Sequence, residues 1–226
     1  GGHLGFNKTY QRIREQYYWT GMYTDVLHWV KDCEECQKRT RERGKRIGLL
    51  KSILVEHPFE KVGIDILGPL PKTRRGNKYI VVMSDYYTKW PMAKAVPNQE
   101  APTVAQAFLE EVICNHGAPT TVLSDRGCQF VLKLFASINS MLGTKEEHTT
   151  AYHPQTDGLV ERLNGTLAKM LSAYTSEKQT DWDEYLPFVL WAYRSSLHES
   201  TGESPFFMLY GRDPLFPIDI SLKPAQ

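Results

Sequence analysis

The spacing of apolar residues along this 226-residue chain changes texture twice, and each change marks a unit. Residues 8–18 (KTYQRIREQYY) and 24–32 (TDVLHWVKD) repeat apolar side chains at helical spacing and predict two short amphipathic helices. Gly21, in the WTGM between them, allows a sharp turn, and Val26, Trp29 and Val30 define the apolar face of the second helix. From about residue 57 the pattern becomes that of strands. KVGIDIL and KYIVVMSDYY are β-branched and aromatic, GPLPKTRRGN between them supplies the turn of a hairpin, and WPMAKAV completes a meander. EAPTVAQAFLEEVICNHG then predicts a helix ended by Gly117, and APTTVLSD a short buried strand ended at Asp125. A helix near 130–142, a strand near 144–149 and a last helix near 181–197 follow. In between, AYHPQTDGLVERLNGTLAKML (151–171) joins a loop of turn formers to a helix whose stripe is Leu159, Leu163, Leu167 and Met170. Strands paired first and then alternating with helices predict an α/β fold, a five-stranded mixed sheet with helices on its faces.

Composition narrows the picture. With 41% hydrophobic residues the chain can bury a sizeable core, enough for one ordinary domain and a small one. No apolar run approaches the roughly 18 residues of a membrane span, and GGHLGFNKTY lacks a signal-peptide core, so the reading is a soluble chain with no membrane partner. A net charge of +1 excludes a uniformly basic protein but not a local patch. Lys38, Arg39, Arg41, Arg43, Lys45 and Arg46 stand against Glu42 alone. That run is too charged to pack: it is either a solvated linker or a segment that tracks a phosphate backbone. Arg74, Arg75 and Lys78 in the first hairpin are weaker candidates for the same role. Of the four cysteines, Cys33 and Cys36 form a C-x-x-C, which fits a reducing compartment and a metal site better than a disulfide framework. Cys114 and Cys128 read as packing residues.

Three carboxylates stand at positions where a charge needs a reason. Asp65 lies in the middle of an apolar strand between Ile64 and Ile66, where ionisation is expensive without a partner. Asp125 closes another apolar strand, and Glu161 opens a helix, off its apolar stripe. Each also has a structural reading as a cap, turn residue or surface charge, and Glu161 can complement the helix dipole. If they converge, two ionised carboxylates about 4 Å apart repel by about 4 kcal/mol at an effective dielectric near 20. Such a cluster calls for cations, and oxygen donors without nearby His or Cys select magnesium or manganese.

The segments GIDILGPL, SDRGCQF and HPQTDGLVERLNGTL, with 35 residues between Asp125 and Glu161, closely resemble the D,D(35)E core of retroviral and LTR-retrotransposon integrases, nearest to gypsy-type elements. YYWTGM with CEECQKR upstream and STGESPFFMLYGR downstream resemble that family's flanking signatures, so the likeness covers nearly the whole chain. The resemblance implies an RNase H-like fold and DNA integration by polynucleotidyl transfer. In it, 3′-end processing of the element DNA is followed by strand transfer into target DNA, with two magnesium ions on Asp65, Asp125 and Glu161. It also implies DNA contacts at Tyr152 and Gln155 in the loop and at Asn164 and Lys169 on the helix behind it. These four have ordinary readings too, as solvated or packing residues.

The same resemblance implies a His-His-Cys-Cys zinc site in which His3, Cys33 and Cys36 are ligands and the first histidine would precede residue 1. His28 falls within a helix and is a poor substitute for it. The expected organisation is a partial zinc-binding module at 1–40, a basic linker at 41–56, an integrase catalytic core at 57–215 and a tail at 216–226. Homo-oligomerisation through part of the aromatic last helix (Trp182, Tyr185, Phe188, Trp191, Tyr193) and a nuclear location are further expectations. Two rivals stay open: a domesticated integrase-derived protein that binds DNA or protein without integrating, and a metal-dependent nuclease of the same fold.

Overall fold

The computed structural model describes residues 5–37, 55–124, 128–142, 158–175 and 179–216. His3, the basic run 38–46, Asp125, the strand expected at 144–149, Tyr152 and Gln155 lie outside these residues.

Two helices open the chain, α1 (Phe6–Arg14) and α2 (Met22–Lys31), with a short α3 (Glu34–Gln37) behind them. The turn between α1 and α2 depends on Gly21, whose φ of 87° is the left-handed conformation that a side chain disfavours. Phe6, Tyr10 and Tyr23 form an aromatic triangle with centroids 4.9–5.5 Å apart, while Met22 and Val26 are buried. The expected apolar face of α2 is only partly real. Val26 is buried, but Trp29 is 71% exposed, because α1 covers the side of α2 that carries Met22 and Val26.

The sheet is built from β1 (Lys61–Leu67), β2 (Tyr79–Asp85), β3 (Pro91–Val96) and β4 (Thr121–Leu123), in the order β3-β2-β1-β4. The first three strands form the expected antiparallel meander, and β4 joins β1 in parallel, which makes the sheet mixed. The described sheet therefore has four strands rather than five, the fifth expectation falling at 144–149.

Alternation along the strands sends side chains to two cores. On one face Val62, Ile64, Ile66, Val81 and Met83 pack against Val104 and Phe108 of α4 (Ala101–Phe108) and Leu134 and Ile138 of α6 (Cys128–Leu142). Between these helices α4 widens into a π-helical turn, Leu109–Ile113, and ends in α5 (Cys114–His116) at the expected Gly117. On the other face Ile80, Val82 and Ala93 meet Val160, Leu163, Leu167 and Met170 of α7 (Gly158–Tyr174) and Leu186, Val189 and Leu190 of α8 (Trp182–Arg194). A short α9 (Pro205–Tyr210) follows, started by Ser204, whose hydroxyl accepts from Phe207 N.

The helical unit docks on the end of α8. Arg12 of α1 donates through Nη2 to Ser195 O and Oγ, both at 2.9 Å, and to Ser196 Oγ at 3.0 Å. Lys8 stands 4.9 Å from the centre of the Tyr193 ring. Burial lowers the pKa of both cations, a cost that the carbonyl, hydroxyls and aromatic face offset.

Candidate active site

Asp65 sits at the centre of β1, opposite Val82, and its position in the alternation turns it toward α7 and α8. A side-chain partner comes from 99 residues away. Asn164 of α7 donates through Nδ2 to Asp65 Oδ2 at 2.5 Å, while Asp65 Oδ1 accepts from the backbone N of Ile66 at 2.7 Å. Both Asp65 and Asn164 are half-buried, and among the described residues Asn164 Oδ1, itself buried, has no hydrogen-bond partner. The amide orients the carboxylate without neutralising it.

That bond fixes the first turns of α7 over the middle of β1. Leu159, Val160, Leu163, Leu167 and Met170 anchor the helix to the sheet, as its stripe predicts. Glu161 lies in the first turn, one turn before Asn164, and is exposed, so it stands on the rim of the site rather than in the core. Lys169 is also exposed, farther along the same helix. β4 and β1 pair at a constant offset, Lys61 with Thr121, Val62 with Val122 and Gly63 with Leu123. Asp65 and Asp125 follow their last paired residues by two positions each.

The structure thus brings Asp65 and Asn164 together, with Glu161 on the adjoining turn. Among the described residues no group of three or more His, Cys, Asp and Glu side chains is gathered for a metal; Asp125 and His3 lie outside them. Cys33 and Cys36 are both half-buried, at and within the start of α3, and His28 is exposed. Asn164 was expected to contact DNA; its hold on Asp65 had a single sequence signal, its place one turn beyond Glu161.

A fully buried carboxylate, Asp85 at the end of β2, needs no ion. Its Oδ2 accepts from Thr88 N at 2.8 Å and Thr88 Oγ1 at 2.6 Å, and its Oδ1 from Phe59 N at 3.0 Å. Arg194, unexplained by sequence, reaches from the last turn of α8 to Pro91 O with Nε and Nη2, at 3.0 and 2.8 Å, and lies 4.3 Å from the centre of Trp90. Burial lowers its pKa to about 10, so it stays charged at neutral pH and ties α8 to β3.

Comparison with known proteins adds the family. A model described as an integrase zinc binding domain matches residues 1–42, and one described as an integrase core domain matches residues 55–154. The chain belongs to the integrase family. It is 31% identical over 217 residues to the retrovirus-related Pol polyprotein from transposon 412 of Drosophila melanogaster, covering 96% of this chain and 18% of that one. It is 29% identical to Gypsy retrotransposon integrase-like protein 1 of Bos taurus, covering 96% of this chain and 43% of the relative. The chain therefore spans less than half the length of the curated relatives it matches. A structure of the simian T-cell lymphotropic virus intasome in complex with PP2A regulatory subunit B56 gamma superposes over 100% of this chain and 75% of its own, at TM-score 0.59 and 18% identity. The HTLV-2 integrase catalytic core domain in complex with magnesium covers 67% of this chain and 97% of its own, at TM-score 0.50 and 20% identity. The fold is the RNase H-like integrase core, a mixed sheet flanked by helices.

Proposed function

We propose that this integrase-family chain joins element DNA to target DNA by polynucleotidyl transfer. Asp65, Asp125 and Glu161 would hold divalent cations. The observation that carries the reading is the Asp65–Asn164 bond, which sets the turn bearing Glu161 over the strand bearing Asp65.

The donors fit a hard cation. They are oxygens, with no sulfur or imidazole in the described part of the site, and the orphaned Asn164 Oδ1 offers an acceptor for a water of the hydrated ion. Two such ions supply activation of an attacking oxygen and stabilisation of a leaving one in an in-line displacement at phosphorus. Within the protein, Asn164 holds the Asp65 carboxylate in place, and the α7 stripe holds Glu161 at the rim where a DNA end can reach it. Tyr152 and Gln155, which precede α7 in the chain, and Lys169 on it are proposed DNA contacts. His3, Cys33 and Cys36 are proposed zinc ligands, and thiolate donors at the start of α3 suit that metal. The HTLV-2 integrase catalytic core domain has been solved in trimeric and dimeric forms, which supports self-association, and DNA as substrate supports a nuclear site of action.

The second reading is a DNA- or protein-binding chain of the same descent that does not integrate. A joining assay with magnesium, a labelled element-end duplex and target DNA separates the two. The proposal expects joined product that Asp65→Asn abolishes. Product no higher than that of Asp65→Asn favours the second reading, and nicking without joining favours a nuclease.

A further inference from the structure

The hairpin that connects β1 to β2 is a built platform. Gly68, at φ 138°, turns the chain where a Cβ would lie 2.8 Å from the Tyr79 ring and 2.9 Å from Lys78 O. Beyond it, Leu70 N donates to Lys78 O at 2.7 Å and Thr73 N to Asn77 O at 2.9 Å. The tip is then fastened to the start of α8. Thr73 Oγ1 and Asn77 Nδ2 donate to the buried Asp183 Oδ2 at 3.0 and 2.7 Å, Trp182 Nε1 donates to Pro71 O at 2.8 Å, and Arg74 N donates to Thr180 O at 3.1 Å. Asp183, the carboxylate these side chains share, is buried in the clamp.

What the platform presents is charge of one sign. Residues 68–78 carry Lys72, Arg74, Arg75 and Lys78 and no acid, and all four cations are exposed. Among the described residues none of the four has an ion-pair partner. Four like charges held close together are unfavourable unless a polyanion offsets them. The strand that feeds the hairpin is β1, so Asp65 lies three residues before Gly68, roughly 10 Å along the strand. Leu67 and Leu70 pack against the core that α7 and α8 share, and the far half of α7 carries exposed Lys169.

We infer that this clamped hairpin is a binding site for the phosphate backbone of duplex DNA, running on from the candidate active site past Lys169. The inference rests on the integrase reading and adds to it a track outside the metal-binding carboxylates. Rigid presentation matters, since a preordered loop loses little entropy on binding. Backbone phosphates of element or target DNA share this chemistry, and the recognition is independent of sequence.

The test is anisotropy of labelled duplex against salt, for wild type and for a variant with Lys72, Arg74, Arg75 and Lys78 all changed to Gln, each checked for an unchanged melting temperature. The site predicts that the slope of log K against log salt falls in magnitude by about 3 to 4. An unchanged slope overturns the inference. Parallel element-end and unrelated duplexes show which DNA uses the track: loss on the element end alone assigns it there, and equal loss assigns it to duplex DNA generally. A second variant, Thr73→Val with Asn77→Ala, keeps all four cations but opens the clamp; it is expected to bind more weakly at an unchanged slope, and wild-type affinity overturns the role of the clamp. Failure of the integrase reading looks different, since then wild type joins no DNA whatever the slopes do.

Discussion

At the scale of single residues, two aspartates on neighbouring strands are separated by their partners. Asp85 is saturated by its own turn and by Phe59 N, a structural use of buried charge. Asp65 instead receives Asn164 from a helix on the far side of 99 residues of chain, and the other end of that amide is left without a partner. Asn164 is therefore a positioning residue for Asp65. Changing it to Ala is expected to weaken magnesium binding by about 10–100-fold, the usual effect of losing a group that orients a ligand. The shift of melting temperature with added magnesium measures this without any reaction, and a wild-type magnesium response in Asn164→Ala would contradict it. Sequence singles out Asp65 because a charge between isoleucines needs a partner, while the family resemblance implies a DNA contact for Asn164. Nothing local to either residue encodes their contact.

At the scale of elements, periodicity locates the helices and strands because the residues they bury recur at helical or strand spacing. The meander, the α7 stripe and the Gly21 and Gly117 stops are all legible for that reason. Trp29 misleads, since a helix with two apolar sides reveals which is covered only when its neighbour is known. The hairpin clamp is invisible in sequence, because Asp183 reads as an ordinary acid in the first turn of α8. Buried beneath Thr73 and Asn77, it joins two elements more than 100 residues apart. Asp183→Ala removes the acceptor of two charge-assisted hydrogen bonds and leaves two donors stranded, so it is expected to cost about 3 kcal/mol. Urea denaturation measures the loss, and a change below about 1 kcal/mol would show that water replaces the carboxylate there.

At the scale of the whole molecule, the helical unit and the core meet through Lys8 and Arg12 on the end of α8, a contact that sequence reading leaves unforeseen because it spans 183 residues. His198 lies beside it, with Nδ1 3.0 Å from Ser200 Oγ. Burial first, then Lys8, Lys89 and Arg162, lower its pKa from 6.5 to about 4. Above pH 6.5 the ring is neutral in both folded and unfolded chains. Between 6.5 and about 4 the unfolded chain takes up a proton that the folded chain refuses, so stability falls as pH drops through that window and levels off below it. His198→Asn should flatten this part of a melting temperature against pH profile, removing an effect on the order of 3 kcal/mol at most. A profile unchanged by the substitution would assign the acid sensitivity elsewhere.

The central claim, that Asp65, Asp125 and Glu161 act as one metal-dependent centre, is tested most directly by strand joining in magnesium with Asp65→Asn, Asp125→Asn and Glu161→Gln side by side. Glu184→Gln, an exposed acid in the first turn of α8, serves as the control. The account predicts joined product from wild type and the control and none above background from the other three. Wild-type joining by Glu161→Gln would return that residue to a helix-dipole charge and contradict the account.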